Sequence, residues 1–339
     1  MYARAAIGRY CGGGRDVAAG EHAIIAEGLR KRYGDRNVLD GFALRVPPGT
    51  VCGLLGPNGA GKTTAVRILS TLLRFDEGRA EVAGFDVARR PDQVRHRIGL
   101  VGQHAALDEV LSGHQNLVLF GRLCHLGTKR ARQRAAELLE RFGLADTGDK
   151  PVKAYSGGMR RRLDLAAGMI LAPSVLFLDE PTTGLDPRGR NEVWESVRGL
   201  VRSGTTVLLT TQYLDEADQL ADQISVLDSG RVIATGSPDE LKSRLGGDRI
   251  DLVLHNAVDL AVAAARLRLV AGAEPEVDHD RRRVSAPVGD RVGALTEVLR
   301  ALDAGGVSVA DVALRRPTLD EVFLHLTGHR SRAAEEVAA

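Results

Sequence analysis

The apolar positions of this chain fall into short runs of strand length, separated by glycine-bearing turns and by stretches of helical periodicity. That alternation predicts a mixed α/β fold. Ile24 to Leu29 opens as a strand, Lys31-Arg32-Tyr33-Gly34 is expected to turn the chain, and Val38 to Val46 alternates like a half-buried strand. Val51 to Leu55, Ile98 to Val101 and Thr206 to Leu209 are further short apolar runs, and Val175 to Leu178 is continuous, as in a strand buried on both faces of a parallel sheet. Between them, Ala65 to Leu73, Ala131 to Phe142 and Arg160 to Ala167 read as helices, the last with Ser156 placed as its cap.

The order strand, loop, helix gives the segment Gly56-Pro57-Asn58-Gly59-Ala60-Gly61-Lys62-Thr63-Thr64 its meaning. Glycines there let backbone N–H groups converge on phosphate oxygens at a helix N-terminus, Lys62 reaches the outer phosphates, and the Thr63 hydroxyl is placed for Mg²⁺. That ion is usually held by one or two protein oxygens together with phosphates and water. The plain alternative is a glycine-rich turn, which the flanking strand and helix disfavour.

Composition then removes several function classes. Lys and Arg number 46 against 44 Asp and Glu, a net charge of +2, so no basic field argues for a nucleic-acid partner and none is expected. Cys11, Cys52 and Cys124 show no C-x-x-C spacing and leave one odd, which fits a reducing compartment. The longest apolar stretch, Leu165 to Leu178, is broken by Pro173 and too short to span a bilayer, and no signal-peptide core follows the N-terminus. Any membrane role is expected to be peripheral. At 339 residues, a large domain with a smaller one is the natural division.

Further candidate chemistry lies at strand ends. Asp179 and Glu180 follow the buried run Val175 to Leu178, so two carboxylates sit where ligands gather in α/β sheets. Asp179 fits a Mg²⁺ contact and Glu180 a general base or water-positioning group for attack on a γ-phosphate, with a structural ion pair as the alternative. Gln103, after Ile98 to Val101, can contact a metal or water or simply cap the strand. Ser156-Gly157-Gly158 opens a helix whose amides form an anion site, beside the Arg160-Arg161-Arg162 triplet that reads equally well as a solvated face. Asp186 suits a helix cap. Tyr33, exposed at its turn, offers a stacking face for a base.

Taken in order, Tyr33, the phosphate loop, Gln103, Ser156-Gly157-Gly158, Leu176 to Glu180 and Gly184-Leu185-Asp186 resemble the ATP-binding subunits of ABC transporters over about residues 23–245. The resemblance implies an ABC-type nucleotide-binding domain with a helical subdomain over about 104–160, with ATP and Mg²⁺ as its ligands. It implies ATP contacts from Tyr33, residues 56–64, Ser156, Gly157, Gly158 and Asp186, metal contacts from Thr63, Gln103 and Asp179, and catalysis by Glu180 and Gln212. Ser156 and its glycines would act on ATP held by a second copy, giving a homodimer with two composite sites that powers a separate transmembrane permease. Tyr155 and Met159 depart from the usual Leu and Gln around that signature. Gln212 stands where most of the family has His, removing a group that titrates near neutrality while keeping a hydrogen-bond donor. With Tyr213-Leu214-Asp215-Glu216-Ala217-Asp218 after it and Arg315 to Phe323 near the end, it is similar to the daunorubicin and doxorubicin resistance group. Export of an anthracycline-like drug from the cytoplasmic face of the membrane is the expectation; a soluble mechanical ATPase acting in translation or repair is the alternative.

From about Gly246 the order reads β-α-β-β-α-β, which matches the ferredoxin-like plan for a small α+β accessory domain over 246–328. Thr318 and Glu321 have capping-box spacing for a last helix. Residues 1–22 and 329–339 read as disordered tails.

Overall fold

A computed structural model describes residues 21–103, 105–244 and 247–326. The tail readings for 1–20 and 329–339 lie outside them. The chain divides into two compact units, one of residues 1–213 and 220–232 and one of 214–219 and 233 onward.

The first unit begins with β1 (Ile24–Tyr33), β2 (Arg36–Val46), β3 (Val51–Leu55), α1 (Lys62–Leu69), β4 (Glu77–Val82), β5 (Phe85–Asp86), α2 (Pro91–Arg95) and β6 (Ile98–Val101). It continues through the helices α3 (Gly113–Leu123), α4 (Thr128–Arg141) and α5 (Gly157–Gly168), then β7 (Val175–Asp179), α6 (Pro187–Arg202) and β8 (Thr206–Thr211). After α7 (Leu214–Leu220), β9 (Gln223–Asp228) returns to the sheet, and β10 (Arg231–Gly236) carries the chain into the second unit. Two sheets result: an antiparallel one in the order β2-β1-β4-β5 and a six-stranded one in the order β10-β9-β3-β8-β7-β6. In the latter β3 pairs parallel with β8 and β9, and β7 pairs parallel with β6 and β8.

Every residue of β3, β7 and β8 is buried, the consequence of a parallel sheet covered on both faces. Successive side chains of β7 serve two cores. Leu176 and Leu178 join α3, α4, α5 and α6 through Leu117, Leu138, Leu163 and Val197, while Val175 and Phe177 join α1 and the antiparallel sheet through Ile68, Leu69, Phe42 and Leu44.

Two expectations shift locally. β1 continues through Lys31-Arg32-Tyr33, because Tyr33 pairs with Arg36 and closes a two-residue turn at Gly34 and Asp35. Helix α1 spans Lys62–Leu69 instead of 65–73, and Thr71 beyond it takes a left-handed φ of 66°.

The second unit holds α8 (Pro238–Ser243), β11 (Arg249–Leu254), α9 (Leu260–Ala271), β12 (Glu276–Asp278), β13 (Arg283–Pro287), α10 (Arg291–Ala304) and β14 (Val309–Arg315). From β11 onward the order is β-α-β-β-α-β, and the antiparallel sheet runs β12-β13-β11-β14, the split arrangement of a ferredoxin-like fold. Its core is Ile250, Leu252, Leu254, Val284 and Ala286 from the sheet against Ala263, Leu267, Val298 and Leu302 from the helices. Residues 319–326 are helical, capped by reciprocal bonds between Thr318 and Glu321.

Candidate functional site

The phosphate loop leaves the end of β3 and enters α1 through Gly61, whose φ of 110° only glycine adopts comfortably. A Cβ there would stand 2.7 Å from the carbonyl oxygen of Val38, so the loop is pressed against β2. Lys62 is buried, its ammonium donating to the carbonyls of Gly56 at 2.7 Å and Pro57 at 3.2 Å and standing 3.7 Å from Glu180 Oε1. Burial pushes the Lys62 ammonium below its ordinary value, against the opposing pull of Glu180 and Asp179. A cleft of about 160 Å³ is lined by Pro57, Asn58, Gly59, Gly61, Lys62, Thr63, Thr64, Val38 and Glu180.

Parallel register brings the ends of β7 and β8 to the same level as that loop. Thr210 Oγ1 donates to Asp179 Oδ1 at 2.6 Å and Thr63 Oγ1 to the same oxygen at 3.3 Å. The Thr63 hydroxyl and the Asp179 carboxylate thus share one spot, and both are the hard oxygen donors that Mg²⁺ prefers. Among the described residues no cluster of three or more His, Cys, Asp or Glu side chains could hold a metal. A divalent ion in this cleft would therefore rely on phosphate oxygens for the rest of its shell, as the donor set allows.

Glu180 has a left-handed φ of 48°, a conformation that costs a non-glycine residue roughly 1–3 kcal/mol and is found where surrounding structure enforces it. Its N–H donates to the Thr210 carbonyl at 3.1 Å, and its Oε2 accepts from Gln103 Nε2 and Thr183 Oγ1, each at 3.3 Å. Lys62, Thr63, Gln103, Asp179 and Glu180 therefore form one constellation. Gln212 follows β8 at a bend; Thr211 Oγ1 accepts from the Tyr213 N–H at 2.9 Å, so the hydroxyl of Thr211, not Gln212, ties down that turn.

Ser156, Gly157, Gly158 and Asp186 lie elsewhere. Ser156 caps α5 by accepting from Met159 N at 3.2 Å, and Asp186 caps α6 by accepting from Gly189 N at 2.9 Å. A Cβ on Gly158 would stand 3.1 Å from the Gly189 Cα, so glycine lets the two helix starts meet. Together they line a cleft of about 530 Å³ that includes Arg162, Leu185 and Glu192 and no residue of 56–64. Tyr155, which departs from the usual signature, is buried in the helical layer with its hydroxyl donating to the Thr147 carbonyl at 2.7 Å. Tyr33 is 48% exposed opposite Arg36, and Arg36 lines a second cleft of about 280 Å³ with Pro57 to Ala60.

Residue patterns alone do not reveal Thr210, Thr183, Arg161 or Asp164. Arg161 is buried, whereas its triplet neighbours Arg160 and Arg162 are partly exposed; the one sequence signal is the opposite charge of Asp164 one helical turn away.

Residues 39–183 match the ABC transporter family, and 236–327 match the C-terminal domain of DrrA1-3-like ATP-binding proteins. Daunorubicin resistance ATP-binding protein DrrA3 of Streptomyces coeruleorubidus is 68% identical over 92% of this chain and 98% of its own length. Daunorubicin/doxorubicin resistance ATP-binding protein DrrA of Streptomyces peucetius is 54% identical over 93% of this chain and 96% of its length. Among solved structures, cbiO1 of Clostridium perfringens, part of the ABC transporter complex cbiONQ, superposes with a TM-score of 0.62 at 29% identity, covering 66% of this chain and 92% of that one. A phosphate loop at the end of a central strand, two carboxylates at the end of β7 beside it and relatives matched along nearly their whole length lead to one conclusion: the chain belongs to the ATP-binding subunits of ABC transporters, in the daunorubicin and doxorubicin resistance group, and is an ATPase.

Proposed function

We propose that two copies of this chain form a pair of composite ATP sites that drive export of a hydrophobic, anthracycline-like drug through a separate permease. The observation that carries the reading is the separation of the two clefts. Residues 57–59, 61–64 and Glu180 line one, Ser156 to Gly158 and Asp186 line the other, and no residue is common to both. A helix N-terminus attracts anions, so Ser156-Gly157-Gly158 from one copy closes over the γ-phosphate held by the loop of another. The cargo follows from the relatives' names, since daunorubicin and doxorubicin are anthracyclines. Among the described residues no helix is long and apolar enough to cross a membrane, so the passage is assigned to another chain and this one to the cytoplasmic face of the membrane.

Within each site, Lys62 and the loop amides hold the β- and γ-phosphates. Thr63 and Asp179, with Gln103 nearby, hold Mg²⁺, whose chemistry is to neutralise phosphate charge. Glu180 takes the proton of the attacking water or orients it, and Gln212 donates to a γ-phosphate oxygen. Tyr33 stacks on the base. The ATPase unit is assigned to residues 23 to about 232 and the accessory domain to the residues from about 233 to 328, a boundary somewhat before the 245/246 division expected from the sequence, because the second compact unit holds the chain from 233 onward and the C-terminal family match begins at 236. Sizing of Glu180→Gln with and without Mg-ATP tests the arrangement. A nucleotide-dependent dimer with turnover lost is the expected result, and a monomer at saturating Mg-ATP, or an unchanged hydrolysis rate, contradicts it.

A further inference from the structure

Helix α5 carries the signature glycines at its start and, one turn further on, a buried cation that donates to three backbone carbonyls beside the hydrolytic centre. The Arg161 guanidinium donates from Nε to the Pro181 carbonyl at 2.6 Å, from Nη1 to the Gly102 carbonyl at 2.7 Å and from Nη2 to the Asp179 carbonyl at 3.3 Å. Nη1 also donates to Asp164 Oδ2 at 3.1 Å, and Asp164 in turn accepts from the Ala106 N–H. Two functional residues are bracketed by these contacts. Asp179 and Pro181 flank Glu180, while Gly102 and Ala106 lie on either side of Gln103, whose amide reaches the Glu180 carboxylate. Both Arg161 and Asp164 are buried.

From this juxtaposition we propose that Arg161, seated by Asp164, is a positioning residue that holds Glu180 and Gln103 in register with the signature helix. The inference rests on the reading of Glu180 as the hydrolytic group. A planar fork is needed because the three carbonyls come from three segments: the β6 end, the β7 end and the turn after it. Arg presents five donors in fixed geometry where Lys presents one mobile point. Glu180 sits at a left-handed φ with its N–H held by Thr210 on one side; Arg161 secures the peptide carbonyls before and after it on the other. When the signature glycines of α5 engage a nucleotide on another copy, movement of α5 is transmitted by this guanidinium to the carboxylate of its own site. The helix thereby reports the arrival of the partner to Glu180.

The test compares Arg161→Lys and Arg161→Met with wild type, reading kcat, KM for ATP, fluorescent-nucleotide affinity and thermal midpoint on the full chain. Displacing a reacting group by about 1 Å costs on the order of 100-fold. Arg161→Lys, which keeps the charge beside Asp164, is expected to lose about 10- to 100-fold in kcat with nucleotide affinity within about twofold. Arg161→Met adds a second reading if it folds. A variant cycle separates positioning from stability: in a Glu180→Gln background the Arg161→Lys change should have no further effect on residual turnover, because it acts through Glu180. Wild-type kcat in a folded Arg161→Lys protein, or an equal loss in both backgrounds, overturns the proposal. If Glu180→Gln itself turns over normally, the reading of Glu180 fails instead, and the two failures are distinct.

Discussion

Replacing Lys62 by Met should separate nucleotide binding from stability, because the buried ammonium is held against its own desolvation. Its carbonyl partners are Gly56 at 2.7 Å and Pro57 at 3.2 Å, and Glu180 stands 3.7 Å away. At an effective dielectric of 20, a pair at that separation attracts by about 4.5 kcal/mol before desolvation is subtracted. Desolvation is the larger influence, since the Lys62 value is lowered despite Glu180 and Asp179. Removing the charge thus relieves a cost while losing three contacts, and Met keeps the buried stem. Without nucleotide the thermal midpoint should stay within about 3 °C of wild type, the shift expected for a net change near 1 kcal/mol in a unit of this size. With ATP the balance differs, because a cation beside phosphate oxygens contributes about 1.5–3 kcal/mol, roughly 10- to 150-fold in Kd. Fluorescent-nucleotide titration and melting curves on the same sample measure both. A Met variant binding ATP within threefold of wild type would refute the phosphate role, and a midpoint depressed by about 10 °C or more would refute the claim that the charge is held at a cost.

The neutral switch position gives a second prediction: Gln212→Ala should lower the ATPase rate by roughly 10- to 1,000-fold, the range for losing one preorganised donor, whereas Gln212→His should retain more activity and gain a pH dependence near 6.5. Near-normal turnover by folded Gln212→Ala would return the residue to a structural role. In the accessory domain, Arg315 donates to Asp251 Oδ2 at 2.6 Å and to both oxygens of Glu321 at 2.8 and 3.0 Å. Burial acts to raise the Glu321 carboxyl, but Arg315 and the Thr318 N–H outweigh it and hold the group at about 2. A folded value below the ordinary 4.5 means stabilisation that is full above pH 4.5 and lost as pH falls toward 2. The melting of this domain should therefore weaken over that window, and Arg315→Met should flatten the dependence; an unchanged acid profile in that variant would count against the network.

Strands buried on both faces were the easiest to read, since β3, β7 and β8 carry the short apolar runs Val51 to Leu55, Val175 to Leu178 and Val207 to Leu209 and the residues at their ends are the candidate site. The accessory domain was also legible as β-α-β-β-α-β, because its elements alternate cleanly between the two periods. Strand order was not, since pairing of β11 between β13 and β14 depends on contacts 30 to 66 residues apart, from Val253 with Arg283 to Arg249 with Arg315, which no local pattern encodes. Glu77–Val82 gives no strand signal: three exposed residues lead it, and only Ala80 and Val82 are buried. Arg161 hides for a different reason. In the sequence it is the middle of three arginines, and only the packing of α5 against the end of β7 distinguishes the one that faces inward.

The claim that the two halves of each site come from different copies is tested most directly by complementation between two disabled chains. Lys62→Met retains its signature and loses its loop function, while Ser156→Arg retains its loop and blocks its signature. Each alone should be inactive. In a mixed dimer, the intact loop of the Ser156→Arg chain meets the intact signature of the Lys62→Met chain and restores one complete site. Mixing the two purified proteins with Mg-ATP should therefore recover ATPase activity that neither shows by itself, and a mixture as inactive as its components, with mixed dimers verified by tag-dependent pull-down, would contradict the composite site.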